Sequence, residues 1–240
     1  MSAVALLDRV DRYYSDKLRA AGATPSGVDW NSPEAQQLRF EQLLKGVDAS
    51  RPFSILDYGC GYGALADFLS GRANHELPLP PRTGAQVRPP DSADLDAAPG
   101  QFADFSYCGY DISDAMIQTA RKLHADDPRL RFTSDADELV PMDYAIASGV
   151  LNVTCGTARH EWERHVFETI DRLAKLGTRG FAFNALTAYA DPDRRRADLY
   201  YADPCRLFDY CKRRWAAHVA LLHDYGLYDF TILARTEGAS

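Results

Sequence analysis

Apolar positions recur along this chain with two different periods. Over residues 3–20, Val4, Leu7, Val10, Tyr14 and Leu18 fall three or four apart, the spacing of a single helix face. A stretch of turn formers follows at 22–31. Ser32-Pro33-Glu34 then reads as an N-cap, a first-turn proline and an acidic first turn, opening a helix expected to carry Leu38, Leu43 and Leu44 inward. Beyond residue 50 the pattern becomes an alternation. Short apolar runs at 53–57, 106–111, 130–133, 142–148 and 180–184 predict strands. Helical patterns at 64–69, 114–123, 159–175 and 204–214 separate them, with Ser113 capping the second. Two last apolar runs, 217–223 and 228–235, flank the turn Tyr225-Gly226-Leu227 and predict a hairpin.

Strands that alternate with helices need crossovers, so the expected architecture is α/β, a mostly parallel sheet covered on both faces. The closing hairpin adds one antiparallel strand. Residues 71–104 interrupt the alternation with Pro78, Pro80, Pro81, Pro89, Pro90 and Pro99, and predict a surface insertion with little regular structure. The chain therefore divides into an N-terminal helical cap or lid, 1–49, and a main domain, 50–240.

Composition narrows the class of function. A chain of 240 residues, 46% hydrophobic and 25% charged, is long enough to bury a core without staples. Its net charge of −7 repels phosphate backbones, which disfavours nucleic acid as a partner. Five cysteines form no C-x-x-C pair and read as reduced thiols. The N-terminus reaches Asp8 too early for a signal peptide, and no apolar run approaches the length of a bilayer span. A soluble, cytoplasmic protein is expected, in which the sequon at Asn152 has no consequence.

The chemistry is concentrated in Ile55-Leu56-Asp57-Tyr58-Gly59-Cys60-Gly61-Tyr62-Gly63. Glycines after a strand allow a sharp turn and the close approach of a ligand. The helix that follows presents unpaired N–H groups and a positive dipole end, which suits a phosphate or the carboxylate of an amino-acid-like cofactor. Asp57 disfavours a pyrophosphate and suits a cofactor carrying an ammonium group. Asp111, ending the second strand, is placed to accept the ribose hydroxyls of an adenosine.

The string Asp57-x-Gly59-Cys60-Gly61-x-Gly63, with Asp111 closing the next strand, resembles the class I S-adenosylmethionine-dependent methyltransferases over residues 53–235. That resemblance implies a Rossmann-like, seven-stranded sheet with an antiparallel last strand, and S-adenosyl-L-methionine as cofactor. It places Gly59, Gly61 and Gly63, with Cys60 in the same turn, around the methionine part. Asp57 would lie near the amino group and Asp111 on the ribose. Asp135 would reach the adenine amine, Ile112 and Ala136 would flank the ring, and Ser148 would open the segment lining the methyl donor. Asp57 and Asp111 are 54 residues apart rather than the usual roughly twenty, an excess that the insertion accounts for. Gly59-x-Gly61-x-x-Ala64 also fits the nicotinamide fingerprint, but Asp57, Gly63 and the final hairpin favour the methyltransferase.

Methyl transfer needs an acceptor held in line with the methyl carbon, and a base only if the acceptor must first lose a proton. The acceptor site is therefore weakly encoded. The expected acceptor is a small molecule reacting at oxygen, nitrogen or carbon. Candidates are Asn152 and His223 at the carboxyl edge of the sheet and Tyr14 of the N-terminal segment; a histidine ending an edge strand is more often a surface hydrogen-bonder than a base. Asp29, Trp30 and Tyr13 or Tyr14 form either a lid or plain packing. His160 and His165 are five apart and point away from each other on a helix, so no metal is expected there. Arg194-Arg195-Arg196, among three aspartates, is either a solvated helix start or an anchor for an acidic acceptor. The segment after the fourth strand, Ser148-Gly149-Val150-Leu151-Asn152, lacks the proline-aromatic turn of DNA base methyltransferases. Competing readings are an enzyme using the cofactor without methylation, such as a cyclase, a silent cofactor-binding module, and a nicotinamide oxidoreductase.

Overall fold

The computed structural model describes residues 3–28, 30, 32–72, 102 and 104–236. Asp29 and nearly all of the proline-rich segment lie outside them. Helix α1 (Ala3–Ala21) and helix α2 (Pro33–Leu44) precede the sheet. Strand β1 (Phe53–Tyr58) leads into α3 (Ala64–Leu69), β2 (Phe105–Tyr110) into α4 (Asp114–Leu123), and β3 (Leu130–Thr133) into β4 (Met142–Ala147). Then come α5 (Arg159–Leu176), β5 (Gly177–Leu186), α6 (Pro204–Arg214), β6 (His218–Leu222) and β7 (Asp229–Arg235).

The seven strands pair in the order β3-β2-β1-β4-β5-β7-β6. β7 runs antiparallel to both β5 and β6, and the other described pairings are parallel. This is the Rossmann-like sheet with an antiparallel last strand. Ser32 and Ser113 cap α2 and α4 as their positions require, accepting from Ala35 N and Met116 N.

Period-two alternation along the central strands feeds two cores. On one face Phe53, Ile55, Tyr107 and Ile146 meet α2, α3 and α4 through Phe40, Leu65 and Ile117. On the other, Leu56, Cys108, Ala145 and Phe183 meet α5 and α6 through Trp162, Val166 and Leu207, and Leu6 of α1 joins them. Leu43, Ile55, Leu56 and Leu65 are fully buried, so truncating any of them to alanine would cost about 2–5 kcal/mol.

The inward face of α2 departs from expectation. Leu43 and Leu44 are buried, but Leu38 is only half-buried, and Gln36, Arg39 and Gln42 are buried instead. Gln36 and Arg39 face a cavity rather than a packed core, which is why polar side chains are tolerated there. At the carboxyl edge the pairings Asp57↔Gly109, Tyr58↔Tyr110 and Leu186↔Asp229 bring β1, β2, β5 and the start of β7 to one rim.

Candidate functional site

The turn after β1 is built on three left-handed glycines, Gly59 (φ +85°), Gly61 (φ +54°) and Gly63 (φ +93°). A Cβ at Gly59 would stand 2.2 Å from Val150 Cγ1, and one at Gly63 would stand 2.6 Å from His124 Nε2. Gly59 thus admits the segment after β4, and Gly63 admits a buried histidine. The amides are committed inside the turn. Gly59 N and Cys60 N donate to Tyr110 O at 2.7 and 2.9 Å, and Gly63 N donates to Cys60 O at 3.0 Å. Gly61 N donates to Asp111 Oδ2 at 2.9 Å. These bonds tie β1 to β2; Gly63, as N-cap of α3, offers no side chain to the helix's first-turn amides.

Asp57 and Asp111 meet across this turn. Asp57 is buried, and its Oδ2 accepts from the Tyr107 hydroxyl at 2.7 Å. Burial pushes its pKa up to about 7, against the pull of the Tyr107 hydrogen bond and with a further push from Asp111. Asp111 accepts Gly61 N on one oxygen and Ser113 N, at 2.9 Å, on the other. Burial raises it to about 6, these two amides pull it down, and Asp11 of α1 adds a smaller upward push. Each Asp111 oxygen keeps a further acceptor position.

A cavity of about 450 Å³ opens over this rim. Of the residues singled out in the sequence, Asp57, Gly59, Cys60, Gly61, Asp111, Ile112, Ser148, Asn152 and Tyr14 line it. Gly63, Asp135, Ala136 and His223 do not. Asp135 is exposed and caps the following turn, its Oδ1 accepting from Asp137 N at 2.8 Å. Ala136 packs against the core. His223 is exposed, its ring 5.9 Å from that of Tyr189. The thiol of Cys60 is buried beside Gly109 and pushed well above its ordinary range by burial and by Asp111 and Asp57.

The segment after β4 is held rather than loose. Asn184 Oδ1 accepts Gly149 N at 2.7 Å, its Nδ2 donates to Ser148 Oγ at 3.2 Å, and Asn152 Oδ1 accepts Leu186 N at 3.0 Å. From the N-terminal side Trp30 closes on this segment, so tightly that a Cβ on Gly149 would lie 2.5 Å from the indole ring. Trp30 also carries the Arg39 guanidinium 4.4 Å from its ring centre.

No protein-family model matches the sequence. Over 192 residues, however, the chain is 42% identical to "Putative methyltransferase Rv1506c" of Mycobacterium tuberculosis (strain ATCC 25618 / H37Rv), an alignment covering 80% of this chain and 98% of that one. The chain belongs to the methyltransferases. Solved structures share its fold at low identity. Magnesium protoporphyrin IX methyltransferase (ChlM) from Synechocystis PCC 6803, with bound SAH, matches at a TM-score of 0.57 and 14% identity, covering 98% of this chain and 100% of that one. N-methyltransferase NodS from Bradyrhizobium japonicum WM9, in complex with S-adenosyl-l-homocysteine, matches at 0.56 and 14%, covering 96% and 100%.

In this methyltransferase several cavity residues carry no motif. Arg39 of α2 donates to Asp229 of β7, and both side chains are almost wholly buried. Arg39 Nε and Asp229 Oδ1 are buried without a partner. Asp229 starts β7 opposite Leu186, a register that only the structure shows; for Arg39 the sequence held no signal either, because a polar side chain on a helix reads as solvated. His165, rejected as a metal ligand, lines the cavity from α5, and burial lowers its pKa, which favours the neutral ring. Among the described residues no cluster of His, Cys, Asp or Glu groups into a metal site, and no helix is long and apolar enough to cross a membrane.

Proposed function

We propose that this methyltransferase uses S-adenosyl-L-methionine and transfers its methyl group to a small-molecule acceptor in the cavity described above. The observation that carries the reading is that Asp57, the glycine turn and Asp111 line one cavity with the segment after β4. The residues fit the cofactor chemically. Asp57, buried with one oxygen held by Tyr107, would receive the ammonium group, and the open acceptor positions on Asp111 would receive the ribose hydroxyls. Ile112 would lie against the adenine ring. Asp135 and Ala136, outside the cavity wall, would reach the adenine only through the loop that bears them.

Bound there, the cofactor supplies a methyl group on a sulfonium, a good leaving group. The protein's part is placement. Ser148 and Gly149 are pinned by Asn184, Trp30 packs on Gly149, and Tyr14 lines the same cavity, so an acceptor is confined beside the glycine turn. A small acceptor is supported by the helical cap over the rim and by the net charge of −7. The structural neighbour ChlM, by its name a methyltransferase of magnesium protoporphyrin IX, is consistent with it.

The reading is tested by incubating the protein with S-adenosyl-L-methionine and a metabolite extract, then following the nucleoside product by mass spectrometry. S-adenosylhomocysteine together with a methylated metabolite supports it. Methylthioadenosine in its place would contradict methyl transfer.

A further inference from the structure

The triplet Arg194-Arg195-Arg196 divides into two roles. Arg195 clasps its own segment, donating from Nε to Ala190 O at 2.9 Å and from Nη2 to Ala188 O, with its guanidinium 5.7 Å from the Tyr201 ring centre. Arg194 and Arg196 instead line the cavity. The segment that carries them is fixed at several points. Bridges join Val153 to Leu199 and Thr187 to Ala202. Tyr200 N donates to Asn152 O at 2.7 Å, Arg196 N to the Tyr201 hydroxyl at 3.0 Å, and the Tyr228 hydroxyl to Asp191 Oδ2 at 2.6 Å.

Charges on the cavity wall sort by position. Asp57 and Asp111 belong to the glycine turn, and Arg39 and Asp229 neutralise one another. The remaining charged residues of the wall are Arg194 and Arg196. Arg196 is braced by Asp198 through Nε and Nη2. Arg194 approaches Asp193 only at 4.0 Å, with both side chains at least 70% exposed, a contact that contributes little. Its guanidinium fork therefore stands ready for another anion. In a chain of net charge −7 the overall field repels anions, so admitting one requires cations placed locally.

Resting on the methyl-transfer reading of this same cavity, we propose that its Arg194–Arg196 end binds the acceptor through an anionic oxygen group, a carboxylate or a phosphate. The acceptor's apolar body lies among Tyr201 and Tyr228, whose hydroxyls bond the arginine segment at Arg196 N and Asp191, and Tyr14, which lines the same cavity. A guanidinium fork matches either oxyanion in two-point geometry, and the tyrosine rings supply apolar surface with few rotamers to order.

The test is calorimetric titration of the full chain saturated with S-adenosylhomocysteine, using benzoate, phenyl phosphate and neutral benzyl alcohol as probes. Wild type is compared with R194Q/R196Q; both side chains are more than half exposed, so the fold and the S-adenosylhomocysteine affinity are expected to persist. At least one anion should bind about tenfold more tightly than benzyl alcohol, a preference that the double variant reduces to about twofold or less. Which anion wins separates carboxylate from phosphate. If the double variant melts early, R194Q alone is read by the same criterion. Equal binding of benzyl alcohol, no anion bound by the loaded wild type, or a preference that survives the substitutions would each overturn the proposal. Failure of the wild type to take up S-adenosylhomocysteine would strike the cofactor reading instead.

Discussion

At the scale of single residues, the two carboxylates of the rim are held in an unusual balance. Asp57 and Asp111 are raised to about 7 and about 6 by burial, and each is restrained by hydrogen bonds that favour its charged form. A ligand that brings an ammonium group to Asp57 needs it ionised, so S-adenosyl-L-methionine affinity should fall as pH drops through about 7. Calorimetry between pH 5 and 8 checks this, and a flat profile would remove Asp57 from the amino-group role. Asp111→Ala should weaken S-adenosylhomocysteine binding by about 1–3 kcal/mol, since it removes charge-assisted hydrogen bonds to the ribose. Unchanged affinity would remove the ribose assignment. The acids were legible in the sequence because each ends a strand beside a turn. The fine placement was not: Asp135 follows its strand as expected, yet its side chain is spent on capping the next turn. Short polar side chains after a strand satisfy local amides as readily as they meet a ligand, and sequence does not separate the two.

At the scale of elements, most of the pattern was readable and the exceptions share a cause. The predicted helices at 114–123 and 204–214 coincide with α4 and α6, and the hairpin over 217–235 is β6 and β7. What escaped was the inner face of α2. Its apolar count is low because Gln36 and Arg39 line a cavity, and a helix over a ligand site loses the stripe that periodicity detects. Arg39→Met would leave Asp229 as an uncompensated buried charge and should destabilise the protein by about 3–5 kcal/mol in urea unfolding. Pairing it with Asp229→Leu should recover most of that loss. A single variant as stable as wild type would show that the pair does not anchor α2 to β7.

At the scale of the whole molecule, the site is where the sheet, the cap and the 187–202 connection converge, and this convergence has a thermodynamic signature. A carboxylate whose folded pKa lies above its usual 3.8 stabilises the fold fully only below that value, and the contribution is lost as pH rises through the folded pKa. Asp57 and Asp111 should therefore subtract stability from the ligand-free protein between about pH 4 and 7. A cofactor that neutralises Asp57 should return it, so the gain in melting temperature on adding S-adenosyl-L-methionine should be larger at pH 8 than at pH 5. An equal gain at both values would mean that the buried acids do not face the ligand.

The most direct test of the account is titration of S-adenosylhomocysteine into the folded chain at pH 8, with NAD as the comparison. Saturable uptake of one S-adenosylhomocysteine per chain, with no heat from NAD, is the predicted result. A folded protein that takes up NAD, or that takes up neither, would contradict the reading of the turn between Asp57 and Gly63.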